Sequence, residues 1–308
     1  MKDIAKFKTL PDLFDYFKDQ QICIEYLELQ RWNGKPVCPH CGHEKAYKTT
    51  RGYKCASPKC YKKFTVLVGT FMESTKLPLR LWFAAMFLAI TNRKGISSVQ
   101  LADQLQIEQK TAWFLLHRIR EMLREKKRHV LEGEVEIDET FMGGKETNKP
   151  RSKRVGKAGY VVTLKQPVVG LLQRGGNLQC YPVPDVKANT LLPIVNSLVK
   201  PRSTIYTDSY EGYRTVRANY THESVNHSVE EFVRGNVHTQ GIEGAWSHFK
   251  RFIYGTHHQV SNKHLGKYCN EFTFRYNTRN LISQEKFELA LQQSTGRLLY
   301  KNLVAKVK

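Results

Sequence analysis

Residues Glu134-Val135-Glu136-Ile137-Asp138 alternate strictly between acidic and branched apolar side chains. A period of two predicts a strand whose Val135 and Ile137 face a core while Glu134, Glu136 and Asp138 share the opposite face. Three carboxylates on one strand face repel one another unless a cation sits among them. Downstream, Tyr160–Leu164, Val168–Leu172 and Leu178–Val183 are apolar runs punctuated by Gln166-Pro167 and Arg174-Gly175-Gly176-Asn177. They read as strands of a meander. Asn189–Leu198 then has apolar residues at helical spacing, broken by Pro193 near its start, and Ser203-Thr204-Ile205-Tyr206-Thr207-Asp208 is a β-rich run that ends where Ser209–Gly212 begins a turn. The order strand, hairpin, helix, strand predicts an α/β core with a mixed sheet.

Elsewhere the period lengthens to that of a helix. Ile242, Trp246, Phe249 and Ile253 form one apolar stripe, and beside it Glu243, Ser247 and Lys250 fall at i, i+4 and i+7 on a shared polar face. Leu81–Ile90 is apolar almost all round, which at ten residues is too short to span a bilayer and predicts a buried helix. Ser97 opens a short helix through Leu105. The pattern pauses at Gln106-Ile107 and resumes from Gln109 to Arg120, a helix-turn-helix candidate whose second helix would meet DNA through Glu108, Gln109, Lys110 and Thr111.

Cysteine spacing adds a metal site. Cys38-Pro39-His40-Cys41 and Cys55-Ala56-Ser57-Pro58-Lys59-Cys60 are two pairs thirteen residues apart, suited to tetrahedral Zn²⁺ in a zinc ribbon, with His40 or His43 as an alternative to one thiol. Cys23, Cys180 and Cys269 are single and scattered, as buried apolar-like residues would be. Ahead of the ribbon, Leu10–Phe17 reads as a capped helix whose aromatics pack on it. Charge then narrows the partner: 49 Lys and Arg against 28 Asp and Glu give +21, which predicts salt-sensitive attraction to a polyanion. Six of those cations, Lys145, Lys149, Arg151, Lys153, Arg154 and Lys157, crowd a polar insert just after the Asp138 strand, read as a DNA-binding loop beside the site.

Asp138 in Glu-Ile-Asp-Glu-Thr, Asp208 in Tyr-Thr-Asp-Ser-Tyr, and Glu243 with Lys250 in Ile-Glu-Gly-Ala-Trp-Ser-His-Phe-Lys-Arg resemble the catalytic blocks of DDE transposases. Together with Met142-Gly143-Gly144 and Glu271–Asn277 they are similar to the bacterial insertion-sequence branch that carries a zinc ribbon and is related to Merlin elements. The resemblance implies an RNase H-like catalytic core preceded by the ribbon and a helix-turn-helix region. It also implies two Mg²⁺ (or Mn²⁺) ions per site, bridged by Asp138 and held singly by Asp208 and Glu243, with Glu243 assisting deprotonation of the attacking water. Gln240 and His238 are the alternatives to Glu243. The structural ion would be one Zn²⁺ on Cys38, Cys41, Cys55 and Cys60. The DNA contacts would be Lys250, Arg251, Lys110, Lys149, Arg151, Lys153 and Arg154.

At 308 residues and 41% hydrophobic content the chain has room for three units. These are expected at 1–68 (helix and ribbon), 69–130 (helical DNA-binding region) and 131–308 (catalytic domain). No secretory signal or membrane-spanning run is read from the sequence, so the expected setting is cytoplasmic and DNA-associated, as a homodimer or higher homo-oligomer on double-stranded DNA. Two other functions fit the same residues: a domesticated DNA-binding regulator, and a nuclease of the same fold that cuts without joining.

Overall fold

The computed structural model describes residues 7–126, 129–144, 152, 165–208, 211–226 and 231–305. The basic insert, with Lys145, Lys149, Arg151, Lys153, Arg154 and Lys157, and the expected strand at Tyr160–Leu164 lie outside the described residues. In chain order the elements are α1 (Leu10–Tyr16), α2 (Gln20–Trp32), β1 (Ala46–Thr49), β2 (Gly52–Cys55), β3 (Lys63–Phe64), α3 (Leu79–Thr91), α4 (Ser98–Leu105) and α5 (Gln109–Met122). There follow β4 (Glu134–Met142), β5 (Gln166–Gln173), β6 (Leu178–Pro182), α6 (Ala188–Leu198), β7 (Thr204–Asp208), β8 (Thr221–Val225), α7 (Gln240–Phe252), α8 (Asn262–Asn277), α9 (Ser283–Gln292) and α10 (Tyr300–Val304). The chain forms two compact units, one of residues 1–124 with 280–308 and one of residues 125–279.

The first unit is built around α3, buried from Trp82 to Ile90 as its all-round apolarity requires. Aromatic rings fill the space about it: Phe17 meets Phe83 at 4.7 Å and Tyr26 at 5.1 Å, and Phe287 of α9 meets Phe83 at 5.3 Å. The aromatics following α1 therefore join a helical core and do not pack on the ribbon. Phe287, fully buried among them, also explains why the C-terminal helices group with this unit and not with the catalytic domain to which the sequence assigned them. Ser97 caps α4 with a reciprocal capping box, and Gln106 takes a left-handed φ of 52° that turns the chain into α5. Glu108, Gln109 and Lys110 are exposed at the start of α5, while most of its body is buried. The ribbon is a three-stranded antiparallel sheet, β1-β2-β3.

The second unit holds a five-stranded mixed sheet in the order β6-β5-β4-β7-β8. β4, β5 and β6 are antiparallel, and β7 and β8 run parallel to β4. This is the RNase H-like arrangement. Alternation along β4 and β5 divides two cores: Val135, Ile137, Val169 and Leu171 pack with α6, whereas Met142, Val168 and Leu172 pack with α7 and α8. Gln166-Pro167, expected as a break, lies inside β5. Pro167 is the second residue of the strand, where the missing donor costs little, and its carbonyl still accepts the Val183 amide at 3.0 Å. Likewise α6 continues through Pro193.

Candidate active site and metal centres

Asp138 and Asp208 stand side by side in the sheet. The parallel ladder between β4 and β7 runs to Glu136–Tyr206, and two residues beyond that pair come Asp138 and Asp208, the latter closing β7. The third carboxylate arrives on α7, whose stripe of Ile242, Trp246 and Phe249 is buried against the sheet. Gly170 makes that approach possible. It pairs with Asp138 in the ladder, and a Cβ there would stand 2.5 Å from the Trp246 ring and 2.9 Å from Ile242. The absence of a side chain at this position lets the helix settle over Asp138.

Burial first, and then the charges of Asp208 and Glu243, push the Asp138 carboxyl up to about 6. The Glu139 amide and the Trp246 indole oppose the rise. The indole N–H is buried and turned toward Asp138 without completing a hydrogen bond of ordinary geometry. Glu243 is exposed in the first turn of α7 and accepts from the Thr239 hydroxyl at 2.8 Å, which holds the carboxylate from its own helix. Of the two alternatives, Gln240 is exposed at the first helical position, and His238 turns its Nδ1 to within 3.5 Å of Glu136.

Glu139 had no role in the sequence reading, and Glu136 figured there only as one of three acids on a strand face. Glu139 follows Asp138 but faces the other side of β4, where the buried Tyr213 hydroxyl donates to it. Burial first, and then the charges of Asp138 and Asp208, push its carboxyl up to about 7 against the Tyr213 hydrogen bond. Glu136 shares a face with Asp138, and the cation expected among the β4 carboxylates proves for Glu134 and Glu136 to be a guanidinium. Arg174 Nε lies 2.9 Å from Glu136, its Nη1 lies 3.5 Å from Glu134, and its Nη2 donates to the His238 carbonyl at 2.9 Å. The same guanidinium sits 4.1 Å over the Tyr206 ring. Glu136 in turn accepts the Ile242 amide at 2.8 Å, capping the N-terminus of α7 from the neighbouring strand in place of a local cap. Gly241 leaves room for this, since a Cβ there would lie 2.8 Å from the carboxylate. The three acids on this face of β4 thus divide into Glu134 and Glu136, anchored by Arg174, and Asp138, left beside Asp208.

The ribbon cysteines converge independently. The Sγ atoms of Cys38, Cys41, Cys55 and Cys60 all lie within 4.8 Å of one another, with Cys41–Cys55 at 3.6 Å and Cys38–Cys60 at 3.9 Å. Four sulfurs at ~2.3 Å from a tetrahedral Zn²⁺ stand about 3.8 Å apart, so the donor set fits the ion as it stands. The Ser57 amide, 3.4 Å from the Cys55 sulfur, is the kind of donor that steadies a thiolate ligand. His40 and His43 are exposed and fall outside the group. Among the sequence-predicted DNA contacts, Lys250 and Arg251 are exposed in the last turn of α7, and Lys110 lies exposed with its ammonium 5.4 Å over the Tyr300 ring. Among the described residues no helix is long and apolar enough to cross a membrane.

A four-cysteine ribbon ahead of an RNase H-like sheet that gathers carboxylates at β4, β7 and a following helix is the organisation of a zinc-ribbon transposase. Residues 130–277 match the ISXO2-like transposase domain and residues 18–63 the transposase zinc-ribbon domain, and the chain belongs to the ISXO2-like transposase family. It is 29% identical over 261 residues to an uncharacterized protein in transposable element ISH50 of Halobacterium salinarum, covering 80% of this chain and 86% of that one. It is 33% identical over 103 residues to an uncharacterized transposase-like protein of Haemophilus influenzae, 33% of this chain and 82% of the relative. Among solved structures it is similar to the Mos1 strand transfer complex at 17% identity and a TM-score of 0.27, over 74% of this chain and 82% of the other.

Proposed function

We propose that this transposase binds the terminal inverted repeats of its element and carries out metal-dependent DNA cleavage and strand transfer, with Asp138, Asp208 and Glu243 as its catalytic carboxylates. The observation that carries the reading is the place of Asp138 and Asp208 two residues beyond the last pair of the β4–β7 ladder, where the charges of Asp208 and Glu243 add to desolvation in raising the partly buried Asp138 carboxyl. A carboxyl raised by neighbouring carboxylates is relieved by a divalent cation, and the all-oxygen donor set suits Mg²⁺ or Mn²⁺. A pair of such ions supplies charge stabilisation to the attacking and leaving oxygens of an in-line displacement at phosphorus. The chain's own part is to hold the donors still. The sheet fixes Asp138 beside Asp208, the Trp246 indole faces Asp138, and the Glu136–Arg174 pair anchors the helix that carries Glu243. Lys250 and Arg251, at the far end of that helix, provide phosphate contacts, joined by Lys110 and by Lys149, Arg151, Lys153 and Arg154 of the insert. Cys38, Cys41, Cys55 and Cys60 hold one structural Zn²⁺. The working form is a homodimer or higher homo-oligomer on double-stranded DNA, in the cytoplasm at the nucleoid.

The test is nicking and joining of supercoiled plasmid carrying the element's flanking repeats, with Mg²⁺ or Mn²⁺. Cleavage to 3′-hydroxyl ends that Asp138→Asn, Asp208→Asn and Glu243→Gln each abolish, followed by joined products, is the expected result. Cleavage without joining leaves a nuclease. Binding with no metal-dependent cleavage removes the enzymatic reading altogether.

A further inference from the structure

The open face of the ribbon sheet has no part in the site described above. Cross-strand register sets Tyr47 opposite Lys54 and Lys54 opposite Lys63, a row of three side chains spanning all three strands on one face. The other face carries Tyr53 and Phe64, stacked at 5.7 Å, with the Trp32 ring edge-on to both. That face is the ribbon's core. On the open side Tyr47 is 55% exposed, Lys54 and Lys63 are exposed, and Tyr61, 53% exposed, holds its ring 5.3 Å from the Lys54 ammonium.

Three physical costs are visible in this row. Lysines directly opposite on neighbouring strands repel, and the register places no carboxylate between Lys54 and Lys63. Tyr61 keeps a left-handed φ of 49°, an unfavourable conformation for a bulky residue. Two large rings remain in water on a sheet that has a core face available. From residue 38 to 68, moreover, Lys45, Lys48, Arg51, Lys54, Lys59, Lys62 and Lys63 are balanced by Glu44 alone. A solvated surface gains nothing from this arrangement. A polyanion relieves the repulsion, because ammonium groups neutralise phosphates and release their counterions, while phenol hydroxyls donate to phosphate oxygens.

We infer that the Tyr47–Lys54–Lys63 row, flanked by Tyr61, is a contact surface for the sugar-phosphate backbone of duplex DNA. The proposal rests on the transposase reading for the class of its partner. Ammonium and phenol groups on a flat sheet supply affinity and orientation without reading base edges, so this surface binds DNA regardless of sequence and leaves recognition of the element's ends to other residues.

The test measures binding of the full, zinc-loaded chain to a short mixed-sequence DNA duplex by fluorescence anisotropy across a range of KCl concentrations. Lys54→Ala/Lys63→Ala is expected to reduce the steepness of the salt dependence by about 2 and to weaken binding roughly 30-fold at physiological salt. Lys18→Ala/Lys301→Ala, which removes two exposed cations elsewhere in the same unit, is expected to change neither. Zinc content and thermal midpoint equal to wild type show that the ribbon is intact, and Lys54→Gln/Lys63→Gln replaces the alanine pair if it is not. A salt dependence as steep as wild type in the folded variant overturns the proposal. Running plasmid nicking in parallel separates the two readings. An unchanged salt dependence with intact nicking removes the surface and keeps the transposase, whereas a reduced dependence in a protein that never nicks keeps the surface and removes the transposase.

Discussion

The ribbon, whose four cysteine sulfurs lie within 4.8 Å of one another, and the sheet carboxylates proposed to hold a second kind of metal stand in opposite relations to their folds. Around the cysteines there is little else: Cys38, Cys55 and Phe64 are the buried residues, with Trp32 and Tyr53 packed beside them. Two of those three core residues belong to the cysteine group proposed to hold zinc. Asp138 and Asp208, by contrast, sit on a sheet with a full apolar core on each face, and Glu136 of β4, paired with Arg174, accepts the Ile242 amide of α7. In the ribbon the ion would make the fold. In the sheet the fold stands without an ion and sets Asp138 beside charges that raise its carboxyl. Removing metal should therefore unfold the one and only unsettle the other.

The largest expected effect tests the first half of that contrast. Structural Zn²⁺ supplies on the order of 10 kcal/mol to a small ribbon, far more than so thin a core offers. Cys38→Ser should abolish stoichiometric zinc and open residues 38–60 to limited proteolysis, while residues 125–279 keep their protease resistance. Full zinc occupancy in that variant would remove the ribbon assignment. The second half is tested by Arg174→Met, which leaves Glu136 buried at 1% exposure without its guanidinium. Breaking a buried pair from one side costs about 3–5 kcal/mol, read as a lowered urea midpoint. Because Glu136 caps α7, this variant should also lose cleavage, and Glu136→Gln, which keeps an acceptor for the Ile242 amide, should retain more of both. Equal losses in the two variants would mean that the pair does not position the helix.

How far these features were legible follows from what periodicity encodes. Alternation through Glu134–Asp138 states which residues share a face, and the helical stripe of Ile242, Trp246 and Phe249 states which side of α7 lies down; both hold in the structure. Neither pattern can say what fills a face. Arg174, the cation between Glu134 and Glu136, looked like punctuation in a turn, since its partners lie 38 and 40 residues away. Gly170 was one letter in an apolar run, and its importance appears only when the Trp246 ring is seen against it. Phe287 joined an aromatic core assembled from residues more than two hundred positions earlier, which no local pattern could announce. The cysteine ribbon was the most legible part, because the chemistry of its donors repeats at short range.

The smallest effect bears most directly on whether the sheet site is strained. An Asp carboxyl that burial and its neighbours push from 3.8 to about 6 binds its proton more tightly folded than unfolded. Its contribution to stability is complete below the unfolded value and lost as pH rises through about 6. Above that the ionised form costs the metal-free protein up to about 3 kcal/mol, at 1.36 kcal/mol per pH unit. Asp138→Asn deletes the charge, and with it part of the rise at Glu139, to which Asp138 contributes. Without added divalent metal the variant should therefore melt several degrees above wild type near pH 7.5, with the gap closing as pH falls toward 4. Adding Mg²⁺ should reverse the order, since the ion stabilises only the chain that retains the ligand. An Asn variant that melts below wild type at neutral pH, with no metal present, would show that Asp138 is satisfied by the protein alone, and the contrast between the two metal sites would collapse.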